Sequence, residues 1–170
     1  FLVSGSSAIV DWVLVELRSS NNPAIVIARR AALLKDDGNI LDTDGSTGVT
    51  FKNLAYGSYY ISVRHRNHLS VMSAVPKEFA PNNLYDFTKS QTSAFGQNSM
   101  AEIATGVYGM YAGDGDGNGN INEIDRNDIW SIQNGNMGYL NGDFNLDSGV
   151  TVKDTNDYWN MNQGKIAQLP

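Results

Sequence analysis

The chain has 170 residues, enough for one medium domain or two small ones, and 41% of them are hydrophobic, enough to fill a core. Its formal net charge is −6, and no basic stripe extends beyond Arg29-Arg30 and the Arg64/Arg66 pair, which argues against a nucleic-acid partner. Cysteine is absent, which excludes disulfides, thiol catalysis and thiolate metal sites, and no apolar run reaches the roughly 18 residues of a membrane span. A chain that begins at Phe1 is expected to be a processed product whose signal peptide has been removed.

In chain order, the first half reads as β. Residues 8–18 (AIVDWVLVELR) and 24–34 (AIVIARRAALL) are rich in Val, Ile, Leu and Trp and flank the turn-like SSNNP. Residues 35–48 are dense in Asp and Gly around a short apolar Ile40-Leu41, and Val49 to Phe51 follow as another strand. In 59–65, Tyr59, Ile61, Val63 and His65 alternate with Tyr60, Ser62 and Arg64, a period of two with one buried face. Residues 69–75 and 84–87 supply two further strands. About seven short strands separated by turns predict an antiparallel β-sandwich over 1–92.

Residues 76–99 combine Pro, Asn and Ser, so the domain connection is expected there. Residues 100–111 (MAEIATGVYGMY) read as a lead-in, a short helix or aromatic plug, to a second unit over 93–170.

That second unit carries the main signal. Residues 114–125 (DGDGNGNINEID) and 143–154 (DFNLDSGVTVKD) are twelve-residue loops offset by 29 positions. Oxygen-bearing side chains stand at positions 1, 3, 5, 9 and 12, the spacing with which one short loop wraps a hard cation such as Ca²⁺. In the first loop these are Asp114, Asp116, Asn118, Asn122 and Asp125, with the Asn120 carbonyl at position 7. In the second they are Asp143, Asn145, Asp147, Thr151 and Asp154, with the Gly149 carbonyl at position 7. Gly119 fills the sharp turn at position 6, whereas Ser148 stands there in the second loop. Ile121 and Val150, both at position 8, are expected to pair as a short strand between the loops. The repeat runs on: DRNDIWSI at 125–132 matches DTNDYWNM at 154–161, which places Trp130 and Trp159 on equivalent helices. The six loop aspartates account for the whole net charge, so the acidity is local to the loops.

From about Gly113 to Gly164 the sequence resembles a type I dockerin, the duplicated calcium-loop-plus-helix module of secreted bacterial proteins. The resemblance implies two Ca²⁺ ions, a small helical fold and an extracellular setting. In that family the first helix positions choose a cohesin partner. Here these are Arg126-Asn127 and Thr155-Asn156, not the usual Ser/Thr-rich pair, so only the metal chemistry is carried over. The stretch GVTFKNLAYGSYYISVRH (48–65) resembles prealbumin-like domains, the carboxypeptidase-regulatory and collagen-adhesin B-type modules. That likeness implies a structural or adhesive β-sandwich.

Other polar residues read as structural. His65 and His68 lie three apart and face opposite sides of a strand, so a shared metal is awkward. Asp11 and Glu16 also face opposite sides, which prevents them from acting as an acid/base pair; an ion pair of Asp11 with Arg29, Arg30 or Arg64 is expected instead. Asp36-Asp37 and Asp42 to Asp44 read as a solvated loop, with a third calcium site as the alternative. Trp130 and Trp159 are expected to form the core between the two helices.

The expected function is therefore non-enzymatic: an extracellular, calcium-binding structural or interaction protein at a cell surface or in a filament. Its expected partner is a second copy or a surface scaffold, and the apolar residues 1–7 are expected to donate a strand to a neighbour's sheet. The competing expectation is a carbohydrate-binding accessory and anchor of a secreted polysaccharide-degrading enzyme.

Overall fold

The computed structural model describes residues 8–80 and 83–170; the segment 1–7, expected from the sequence to donate a strand, lies outside them. Among the described residues the fold is mainly β and antiparallel. The long strands β1 (Ile9–Ser19) and β2 (Val26–Lys35) form a hairpin, closed where the Ser19 N–H donates to the Ile25 carbonyl at 2.9 Å. Then follow β3 (Ile40–Asp42), β4 (Ser58–Arg64), β5 (Val71–Met72) and β6 (Lys77–Glu78). The sheet order is β3-β2-β1-β4-β5. Both β5 and β6 pair with β4, β5 at Ser62-Val63 and β6 at Ser58-Tyr59.

Period two sorts the two faces of the sheet. Val13 lies opposite Ala32 and Val15 opposite Val63, and these residues make the core with Val71, Ala94 and Met100. On the other face Glu16 lies opposite Arg29 and Ser62. Both β1 faces are therefore covered, one by hydrocarbon and one by ion pairs.

The apolar face is closed by chain that follows the sheet. A hairpin of β7 (Ala101–Ala104) and β8 (Val107–Gly109) occupies the lead-in, where a helix or plug was expected. Tyr108 and Met110 pack on the core, and the Phe95 N–H donates to the Met72 carbonyl at 2.7 Å. The sheet's core thus draws residues from both sides of the 92/93 boundary. Two expected strands are absent: 49–51 and 84–87 run as irregular chain. Val49, Phe51 and Phe87 nonetheless pack on the core, which explains their apolar character.

After Tyr111 the repeat forms two short helices. Each opens as α-helix at 123–124 or 152–153, winds as a π-helix over Asp125–Trp130 or Asp154–Trp159, and returns to α-helix over Ser131–Gln133 or Asn160–Asn162. A second core joins Leu69 and Tyr111 to Ile121, Phe144 and Trp159, so the sheet half and the loop half share apolar packing. Trp159 is buried in it, and Trp130 is partly buried against it.

Candidate metal centre

Each loop is organised by its first and last carboxylates. In the first loop Asp114 accepts from the Gly119 N–H at 3.1 Å, and Asp125 accepts from Asn122 N–H at 2.8 Å and Asp116 N–H at 3.2 Å. In the second, Asp143 accepts from the Ser148 N–H at 3.0 Å. Asp154 accepts from Thr151 N–H at 2.8 Å, Asn145 N–H at 3.1 Å and Phe144 N–H at 2.8 Å. Position 1 thus holds the turn at position 6, and position 12 holds positions 3 and 9, in both loops alike. Such bonds fold the loop around its own carboxylates before any ligand is considered.

Intermediate positions line the open side. Asp116 and Asn118 are exposed, and the Asn118 amide donates to Asp116 at 2.7 Å. The Asn145 amide donates to Asp147 at 3.0 Å, and the Thr151 hydroxyl lies 3.3 Å from Asp154. The Asn120 carbonyl receives the Asn122 amide at 3.4 Å, and the Gly149 N–H donates to Asp147 at 2.9 Å. Carboxylate oxygens of Asp114, Asp116 and Asp125 come within 4.8 Å of one another, close enough to share one metal ion. Among the described residues no second trio of acids gathers in this way; the second loop has Asn145 at position 3 and its third aspartate, Asp147, at position 5.

The first loop's electrostatics are those of buried acids short of positive charge; in the second, Arg66 lies 3.9 Å from Asp143. Burial, reinforced by the charges of Asp125 and Asp116, pushes the Asp114 carboxyl up to about 6 against the pull of the Gly119 N–H. Burial also raises Asp125 and Asp143. A cation at these sites relieves the cost that otherwise favours the proton.

The two loops do not pair at position 8, contrary to the sequence expectation. Ile121 instead exchanges hydrogen bonds with the segment behind the second helix: its N–H donates to the Lys165 carbonyl at 2.9 Å, and its carbonyl accepts from Gly164 at 2.8 Å. Val150 does the same with Asn136 and Gly135, at 2.9 and 2.8 Å. The Trp130 indole N–H donates to the Thr151 carbonyl at 2.8 Å, and that of Trp159 to the Asn122 carbonyl at 3.1 Å. Each loop is therefore backed by the helix of the other repeat. Gly113 and Gly142, which precede position 1, make this contact possible. A Cβ on Gly142 would sit 3.1 Å from Trp130 Cα, and one on Gly113 would sit 3.4 Å from Trp159 Cα. Their 29-residue offset was a signal available in the sequence.

Other polar residues have different partners from those expected. The chain turns after β4, so the rings of His65 and His68 meet edge to face at 4.6 Å. Asp11 pairs with Arg66 at 2.9 Å and the Tyr139 hydroxyl at 2.6 Å, with His65 Nε2 3.1 Å away, and not with Arg29, Arg30 or Arg64. Burial opposes its charge, but these contacts hold its carboxyl well below the usual range. Glu16 takes Arg18 at 2.7 Å and Arg29 at 2.9 Å. Asp42, in the loop considered for a third site, is committed to Arg30 and accepts from the Thr50 N–H at 2.9 Å.

No sequence pattern marked the residues that tie the halves together. Asn67, fully buried, accepts from Gly113 and Asp114 N–H groups at 3.0 and 3.1 Å through its carbonyl. Its side-chain amide donates to the carbonyls of Asn141 at 3.0 Å and Asp143 at 2.7 Å. Arg66 donates to the Leu140 carbonyl and stacks 4.3 Å over the Tyr139 ring. No protein-family model, curated protein or solved structure matches this chain.

Proposed function

We propose that this is a non-enzymatic, extracellular calcium-binding protein of structural or interaction type. In this reading, a dockerin-like double loop binds two Ca²⁺ ions beside a sandwich-like β layer. One observation carries the reading: two loops with different sequences fold into the same hydrogen-bond cage around buried aspartates at positions 1 and 12. The donor set is all oxygen, carboxylate, amide and carbonyl, which suits a hard cation and not a thiophilic one. Asp114, Asp116, Asn118, Asn122 and Asp125 with the Asn120 carbonyl would hold one ion. Asp143, Asn145, Asp147, Thr151 and Asp154 with the Gly149 carbonyl would hold the other.

A binding role is favoured over turnover because Asp11, Glu16 and Asp42 are tied to arginines, and the raised carboxyls belong to the loops. Association through strands is supported by β2. Among the described residues its outer edge is paired only at Ala32 to Leu34, which leaves backbone from Val26 to Ala31 available to another chain. No helix among the described residues is long and apolar enough to cross a membrane.

Calorimetric titration of EDTA-stripped protein with CaCl₂ tests the metal reading; two sites are expected, and no uptake overturns it. Sedimentation with and without millimolar Ca²⁺ tests association. A chain that stays monomeric throughout and cleaves a polysaccharide overturns the structural role.

A further inference from the structure

Asn67 belongs to the turn after β4, yet it touches the first residue of both loops. Its main-chain carbonyl holds the Asp114 N–H at 3.1 Å, and its side-chain amide holds the Asp143 carbonyl at 2.7 Å. The residue is fully buried, and its Oδ1 lies 2.8 Å from His68 Nδ1. A second strut runs directly between the loops, where the Asn141 amide donates to the Gly115 carbonyl at 3.0 Å.

Resting on the two-ion reading above, we infer that Asn67 is a positioning residue that couples the two loops, so that an ion in the first loop tightens binding in the second. An ion in the first loop draws Asp114 onto its ligands and, through the bond from the Asp114 N–H, narrows the excursions of the Asn67 main chain. The amide of the same residue then presents the Asp143 main chain already placed for its own ion. A loop held in its bound geometry loses less conformational freedom on binding. The same coupling must act from the second loop on the first.

The two arms differ chemically, which gives the inference an asymmetric signature. The first loop is held by the main chain of Asn67, which survives any side-chain substitution. The second is held by the side chain, which does not.

The test is calorimetric titration of the full chain with CaCl₂, in the parent and in Asn67→Ala, Asp116→Ala and Asp147→Ala variants. Asp116 and Asp147 are exposed ligand positions, so their removal disables one loop without opening a core. Asp116→Ala is expected to weaken the second loop about tenfold, within the range of site-to-site couplings. Asn67→Ala is expected to weaken the second loop by a similar factor. The first loop, read in the Asp147→Ala background, should move less than about twofold on adding Asn67→Ala. Equal weakening of both loops, which a merely structural role would give, overturns the inference. So does a second loop indifferent to both Asp116→Ala and Asn67→Ala. If Asn67→Ala does not fold, the Asp116→Ala and Asp147→Ala chains still decide: independent sites overturn the coupling, and reciprocal weakening supports it. Absence of any calcium uptake by the parent overturns the two-ion reading itself, a result distinct from uptake at two independent sites.

Discussion

Glu16 in the sheet and Asp125 in the first loop are both fully buried carboxylates, but their surroundings differ in kind. Glu16 meets Arg18 and Arg29 within 2.9 Å, and these partners outweigh its burial and lower its carboxyl. Asp125 meets backbone N–H groups and the neighbouring Asp116, and burial raises it; among the described residues no arginine or lysine pairs with it. The sheet completes its charges from within the chain. The first loop concentrates its charges and leaves the balance to something that arrives from outside, whereas in the second Arg66 stands 3.9 Å from Asp143. The contrast teaches that a buried acid identifies a candidate metal site only where the protein withholds a cation of its own.

The two largest effects are of similar size, and one comes from breaking the self-sufficient side. Glu16→Ala leaves Arg18, itself buried, without its carboxylate, and the loss of one partner of a buried pair is expected to remove about 3–5 kcal/mol. Urea unfolding measures it, and calcium should not restore the loss. Next comes removal of the external partner. Each loop filled at about 100 times its Kd stabilises the fold by about 2.7 kcal/mol, so EDTA should lower the melting temperature in proportion.

Acid sharpens the same contrast. Asp114 has its carboxyl raised to about 6, so its protonated form is favoured by folding. Its contribution is present below the ordinary aspartate value and is lost as pH rises through about 6. The lowered sheet acids act in the opposite sense, but their window begins only below about pH 4. His68, held neutral by burial well below the ordinary histidine value, costs stability as pH falls below about 6.5 and opposes the Asp114 gain in calcium-free protein. What separates the two forms is the ion: the rise in melting temperature given by calcium should shrink from pH 7 to pH 4.5 as protons displace it from the loop carboxylates. Thermal melts at the two pH values with and without EDTA check the narrowing.

The smallest effect separates the loops from each other. Leu146 and Ser148 hold φ of +62° and +73° where the first loop has Gly117 and Gly119. Ser148→Gly and Leu146→Gly should each relieve about 1 kcal/mol of strain and tighten the second loop about fivefold. In the parent, Asp114→Ala should cost more calcium affinity than Asp143→Ala, as titration of the two variants will read.

β4 was legible from its period of two, and β1 and β2 from their runs of Val, Ile and Leu on either side of the SSNNP turn. The 49–51 and 84–87 segments were not: apolar residues that plug a core from a loop carry the same composition as a strand. The hairpin at 101–109 is too short and too exposed to impose a period. In the loops, spacing picked out Asp114, Asp116 and Asp125, whose carboxylates the fold gathers within 4.8 Å of one another. It did not reveal that Ile121 and Val150 pair with Lys165 and Asn136. A repeat states that two units are alike and is silent on which unit serves which. Asn67 left no trace at all, because one asparagine in one turn has no pattern to stand out from.

The crossed hydrogen bonds of the repeats set a minimum size for folding. One loop-and-helix unit has a position-8 amide and a tryptophan N–H whose partners both lie in the other unit. Alone, it would leave these groups open, and a second identical unit related by a twofold axis would satisfy them. The covalent duplication thus does within one chain what an isologous dimer does between two. Its effective concentration is set by the short connection from Asn134 to Leu140 and not by the amount of protein in solution.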